Sequence, residues 1–231
     1  MRGRQISLCR FLGAAFIHLM GGTQRLSMIH IRYNGRFGNN LFQHSVAAVM
    51  SLDLGIRLAN PLKSCLVRPI NGPDNEGTIL VDGFFQNRKA IDRILSSKRD
   101  ILCEPTDVLD GIYVHIRLGD IMGTKKSCDY EYYDRAISSC SFLSGYISSD
   151  SPDHPMVVGL ANKYGLQINR CETEDQVIYN ASKYTNKVLS LGTFSWWIGV
   201  LGCQDNVICP NPKKYETWHG DLFPVLDWKM L

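Results

Sequence analysis

Several signatures that would settle the chemistry at once are missing from these 231 residues. None of the eight cysteines (Cys9, Cys65, Cys103, Cys128, Cys140, Cys171, Cys203 and Cys209) stands in a CxxC pair, which argues against a structural zinc or a dithiol redox centre and leaves the redox compartment open. No two aspartates are separated by a single residue, so the common Asp-x-Asp device for holding a divalent ion on a diphosphate is lacking. There is neither a G-x-G-x-x-G dinucleotide fingerprint nor a G-x-x-x-x-G-K-[ST] phosphate loop. No apolar run approaches the ~20 residues a membrane-spanning helix needs, and no internal repeat or low-complexity tract is present. The 25 lysines and arginines are scattered, and the net charge is only +3. Nucleic acid is therefore not an indicated partner, although a mild attraction for phosphates or anionic lipid remains.

Hydrophobic residues make up 45% of the chain and charged residues 20%, a composition that buries a core and is far from that of disordered chains. The length suits one large domain or two lobes of about 100 residues each. Residues 1–27 mix Arg2, Arg4 and Arg10 with the apolar run from Phe11 to Ile17, and no A-x-A cleavage pattern follows. They are expected to be a disordered or weakly structured leader, with the folded domain starting at Met28. Without a spanning segment the expected location is the cytoplasm, with contact at a membrane surface allowed. A Golgi lumenal enzyme with a truncated anchor is the alternative.

From Met28 onward the pattern alternates. Residues 28–33 (MIHIRY) read as a strand, 34–40 as a glycine-punctuated loop, and 41–54 as a helix by apolar spacing. A turn-rich stretch at 71–77 precedes a strand at 78–85 and an amphipathic helix at 88–98. A second cycle places strands at 111–116, 142–147 and 187–191, and helices at 130–139, 155–164, 174–182 and 196–201. Alternating β and α elements argue for an α/β fold with parallel sheets, in which ligands bind at the loops after the strands. The lobe boundary is expected between Cys103 and Gly111, dividing the chain into 28–108 and 109–231.

Three loops carry residues that a turn alone does not require. Gly35-Arg36-Phe37-Gly38-Asn39-Asn40 lies between a strand and a helix, where backbone amides and the positive helix end favour an anion or a polar sugar. Such glycine turns are more often structural, but Arg36 and Asn39 are in excess of that need. In Tyr113-Val114-His115-Ile116-Arg117-Leu118-Gly119-Asp120, period-2 alternation sends His115 and Arg117 to one face of a strand. A guanidinium there could clamp phosphate oxygens with two parallel hydrogen bonds; equally, Arg117 and Asp120 could form a structural pair. In Ser190-Leu191-Gly192-Thr193-Phe194-Ser195-Trp196-Trp197, Thr193 and Ser195 fall at an N-cap or first turn and offer hydroxyls and amides to a phosphate. The tandem tryptophans read as core packing that seats the loop.

In this order, NGRFGNNLFQ, DGFFQNRK, YVHIRLGD, EYYDRAI, ISSDSP and SLGTFSWW resemble the motif series of the α-1,2-fucosyltransferase family, a glycosyltransferase family 11-like series, over residues 28 to about 218. HxRxGD and TFSWW are the specific segments; the others contribute order and spacing. Three positions depart from the family pattern: Leu118 stands where many relatives carry a second arginine, Asn40 replaces a usual glutamine, and Gly192 replaces a usual serine.

The resemblance implies a GT-B-like architecture of two facing Rossmann-like lobes, the first on the acceptor side and the second binding the GDP-sugar. It implies GDP-fucose as the donor substrate, no cofactor, no metal, and transfer with inversion to the 2-hydroxyl of a terminal galactose on a glycan. Carried over by motif, Arg117 grips the donor pyrophosphate, His115 and Asp150 lie near the nucleoside, Thr193 and Ser195 bind phosphate, and Arg36 and Asn39 reach across the cleft toward the fucose. Asp120 is the one nearby carboxylate in these motifs that could serve as a base; the competing reading is that it orients Arg117 or His115. Rival functions are a protein O-fucosyltransferase, another GDP-sugar transferase, and a non-catalytic GDP-sugar or glycan-binding protein. The oligomeric state is not legible.

Overall fold

The protein is described by a computed structural model covering residues 16–20, 28–72, 78–170, 173–215, 222–223 and 226–231. Its chain contacts divide it into two units, one ending at Cys103 and the other beginning at Glu104.

The first unit is built on strands β1 (Phe16–Met20), β2 (Met28–Arg32), β3 (Arg57–Leu58) and β4 (Thr78–Asp82), in the order β1-β4-β2-β3. β2 runs parallel to β3 and to β4, whereas β1 is antiparallel to β4. The strand at 16–20 falls inside the stretch expected to be an unstructured leader. An open sheet edge offers unpaired backbone groups, and a short apolar segment satisfies them by adding a strand. The sheet is thus mixed rather than purely parallel. Helix α1 (Phe37–Leu54) packs on β2 and on α2 (Arg88–Ile101). It is buried almost all round from Leu41 to Ser51, as a helix central to its unit must be. α2 buries one stripe, Ala90, Ile91, Ile94 and Ile101, and its N-cap Asn87 accepts a hydrogen bond from the Ala90 amide.

The second unit is a six-stranded sheet, parallel throughout, made of β5 (Leu109–Ile116), β6 (Gly145–Ser149), β7 (Gln167–Asn169), β8 (Tyr184–Val188), β9 (Asn206–Cys209) and β10 (Lys229–Met230). Its order is β10-β9-β8-β5-β6-β7. The chain steps from β5 outward to β6 and β7 through α3 (Tyr130–Ser138) and α4 (Pro155–Tyr164). It then returns through α5 (Glu174–Ala181) to β8 on the other side of β5, and continues outward through α6 (Thr193–Val200). The order reverses between β5 and β8, and in open parallel sheets the crevice at such a reversal is the ligand site. Gly111 to Ile116 of β5 are buried without interruption, as the centre of a doubly covered sheet requires.

Four elements begin three or more residues from where their patterns predict: α1 and α6 start early, at Phe37 and Thr193, and two strands are displaced. β6 starts three residues late, so Ser148 and Ser149 end the strand instead of opening a loop. β8 lies three residues early and carries Lys187 with no exposed surface. The Lys187 ammonium donates to the carbonyls of Ile198 (3.1 Å), Leu201 (2.9 Å) and Cys203 at the end of α6. Its three donors thereby meet three carbonyls that lack helical partners, which is how a buried lysine is tolerated there. Among the described residues no helix is long and apolar enough to cross a membrane.

Candidate active site

The reversal point is flanked by two loops, the one leaving β5 and the one entering α6. Leaving β5, Arg117 turns its guanidinium to both oxygens of Asp120, with Nη2 donating at 3.2 and 3.3 Å. Asp120 lies in a short 3-10 turn (Gly119–Ile121). On the far side of the same guanidinium is Gly192, the N-cap of α6: a Cβ built there would come within 2.7 Å of Arg117 Nη1. Gly192 also has φ +109°, a conformation unfavourable to any residue with a side chain. A side chain here would have to displace the guanidinium, so Gly192 is what lets Arg117 lie against the backbone that starts α6.

Leu118, one of the three departures from the motif series, has 1% of its surface exposed. Its side chain belongs to the core, and only its backbone serves the loop. Asp150, following β6, accepts hydrogen bonds at Oδ1 from the amides of Leu118 (2.8 Å) and Gly119 (3.1 Å). Gly119 allows this approach, since a Cβ there would sit 2.5 Å from Asp150 Oδ2. Asp150 therefore fixes the path of the chain after Arg117.

Thr193 and Ser195 occupy the first and third positions of α6. Ser195 is fully buried, its Oγ 2.5 Å from His115 Nδ1 and receiving the Ser190 amide at 3.0 Å. Its hydroxyl faces inward, so a phosphate at this helix end would meet backbone amides and Thr193 in place of the Ser195 hydroxyl. The His115 ring lies 5.0 Å from the Phe194 ring. Burial first, and the Arg117 charge second, push its pKa down to about 3, which keeps the imidazole neutral. Trp196 and Trp197 are buried edge to face, 4.9 Å between centroids, and Trp196 donates to the Leu222 carbonyl at 3.0 Å. They seat the loop, as their apolar context predicts.

Beneath both loops lies a pair of tyrosines that sequence reasoning left without a role. Asp129 caps α3 by accepting from the Tyr132 amide. Tyr132 then donates its hydroxyl to the Leu189 carbonyl at 2.7 Å, at the end of β8. Tyr133 is also fully buried. Burial raises the pKa of both phenols and pushes Cys128 up to about 12, so all three stay protonated. Their helix was visible in the sequence; the partner of Tyr132 at the end of β8 was not. Ser148, paired in register with His115, was likewise missed, and its buried Oγ has no partner among the described residues.

His115, Arg117, Asp120, Asp150, Thr193 and Ser195 are thus brought together around the ends of β5, β6 and β8. Arg36 and Asn39 belong to the first unit, at the start of α1. Arg36 is the exposed N-cap, and Asn39 Oδ1 accepts from Gln86 Nε2 at 2.8 Å, joining the NGRFGNN and DGFFQNRK segments. Before Gln86, Phe85 holds φ +55°, the sole non-glycine among the described residues with positive φ. Strain of this kind, typically of order 1–3 kcal/mol, persists where neighbours over-determine the backbone. The turn is clamped from α1, because Gln43 accepts from the Asn34 amide (2.9 Å) and donates to the Asn34 carbonyl (3.2 Å).

No family model and no curated protein sequence matches the chain. Its fold does match solved structures. One is NodZ α-1,6-fucosyltransferase soaked with GDP-fucose, with a TM-score of 0.51 at 11% identity over 83% of this chain and 97% of that one. Another is the E. coli heptosyltransferase WaaC with ADP, with a TM-score of 0.52 at 9% identity over 88% of this chain and 92% of that one. These likenesses show the fold alone, an α/β architecture of the GT-B type with Rossmann-like parallel strands.

Proposed function

We propose that the chain is an inverting, metal-independent glycosyltransferase that moves L-fucose from GDP-fucose to the 2-hydroxyl of a terminal galactose. The observation that carries the donor half is Arg117, held at the strand reversal between Asp120 and the Gly192 backbone, beside the amide end of α6. A guanidinium oriented in advance and adjacent to a helix N-terminus suits a diphosphate. As the bond from the anomeric carbon to the diphosphate breaks, negative charge grows on the leaving oxygens. Donors already in place stabilise that charge without reorganising. Asp120 directs both its oxygens at Arg117, so its part is to orient the guanidinium. Asp150 shapes the loop that would border the nucleoside. Thr193 and the α6 amides complete the phosphate side, while Arg36 and Asn39 of the first unit are assigned to the sugar. The NodZ likeness, together with the motif series, favours GDP-fucose; galactose and the 2-hydroxyl rest on the motif series alone.

The experiment is a donor panel of GDP-fucose, GDP-mannose and UDP-galactose against lactose and a galactoside array. The measurements are nucleotide release and the linkage of the product. Fucose transferred to a galactose 2-hydroxyl supports the reading; faster turnover of another donor rejects it. Leu118 favours a second reading, a protein that binds a GDP-sugar without transferring it, because the place of the second arginine is filled by a core side chain. That protein would bind GDP saturably and release no fucosylated product.

A further inference from the structure

Ser195 makes two hydrogen bonds, and together they determine where a proton lies on His115. The residue has no exposed surface. Its Oγ accepts the Ser190 amide proton at 3.0 Å, and the acceptor available to its own hydroxyl proton among the described residues is His115 Nδ1, at 2.5 Å. A buried hydroxyl keeps its proton in a hydrogen bond wherever an acceptor is within reach. Nδ1 is then the nitrogen without a proton, and in a neutral imidazole Nε2 carries it. The ring sits against Phe194 on α6 and two residues before Arg117, which follows its strand, surroundings that disfavour a second proton. His115 Nε2 makes no hydrogen bond within the described residues and is not fully buried.

We infer that Ser195 is a positioning residue that holds His115 as its Nε2–H tautomer, so that β5 presents a fixed, uncharged N–H donor beside Arg117 to an oxygen of a nucleoside diphosphate. The tautomer lock depends on this chain's hydrogen bonds alone; the identity of the oxygen rests on the proposed donor site. The hydroxyl thus serves the donor through the imidazole. It also couples the two loops at the strand reversal, because Ser195 belongs to α6 and His115 to β5.

The test is a long-range imidazole ¹H–¹⁵N correlation on the ¹⁵N-labelled full chain, first without and then with GDP. For His115 the expected spectrum has a pyridine-type Nδ1 and a pyrrole-type Nε2. A protonated Nδ1 in the unsubstituted protein overturns the inference before any variant is made. In Ser195→Ala the single-tautomer pattern should be lost, and the Kd for GDP by calorimetry should rise about two- to tenfold, the equivalent of one neutral hydrogen bond. Ser195→Thr, which keeps the hydroxyl, should restore both. An unchanged His115 spectrum in a folded Ser195→Ala protein also overturns it. The expected tautomer in a protein that does not bind GDP would refute the donor half and the proposed function while leaving the lock in place.

Discussion

Two strand-to-helix turns invite comparison, the one entering α1 and the one entering α6. Each contains a glycine at positive φ: Gly35 at +82°, just before the extended N-cap Arg36 of α1, and Gly192 at +109°, itself the N-cap of α6. They use these features in opposite ways. The α1 turn is clamped from its own helix by Gln43 and leaves its arginine, Arg36, on the surface. The α6 turn carries no arginine and receives one from another strand, because Gly192 has no side chain to exclude the Arg117 guanidinium. Arg36 lies on the surface of its turn, whereas Arg117, enclosed by backbone and carboxylate, is set in advance. In the proposed enzyme the first suits a sugar and the second a diphosphate.

The largest expected effect is at the enclosed arginine. Arg117→Lys keeps the charge and loses the planar fork, so turnover should fall by more than about tenfold with the fold intact by circular dichroism. Near-normal turnover would break the comparison by showing that Arg117 is not the diphosphate clamp. Next is Gly192→Ala, which forces a Cβ into the guanidinium and into a disfavoured φ. It should lower turnover about tenfold and stability by about 1–3 kcal/mol in denaturant titration. Arg36→Ala should act in the other turn more mildly, reducing turnover severalfold with an unchanged melting temperature, since its side chain is exposed.

Acid probes one buried histidine in each unit. Burial pushes His44 on α1 down to about 4, and burial with the Arg117 charge pushes His115 down to about 3, from an ordinary 6.5. Both rings are neutral in the fold and take up protons on unfolding, so below 6.5 the unfolded chain binds more protons. Stability should be level above about pH 7, decline as pH falls from there, and flatten near the folded values, by on the order of a few kcal/mol in total. His44→Gln should remove part of that slope in urea titrations across this range, and an unchanged slope would exclude His44 from it.

Much of this arrangement was legible in the residues. The 3.6 and 2.0 periodicities located β2, α2, β5, α3, α4 and α5 closely, because those signals are carried by neighbours in the chain. β1, β3, β7, β9 and β10 were not found; all but β9 are edge strands, which owe their conformation to the strand they join. The displacement of β8 has a particular cause. Lys187 reads as a polar boundary, and only the carbonyls at the end of α6 make a buried lysine acceptable within the strand. Ser195 was expected to offer its hydroxyl to a phosphate because the sequence shows a helix start and does not show what lies behind it.

Taken alone, the sequence determined which elements form, their order along the chain, and that the chemistry-bearing residues fall at strand ends. These depend on spacing within a few residues and on the alternation of β and α. The tertiary structure decided which strand ends meet: His115 with Ser195, 80 residues apart, and Arg117 with Gly192. Those pairings follow from the return of the chain to place β8 beside β5, and strand order in a parallel sheet is chosen by the packing of helices on both faces, which no local pattern encodes.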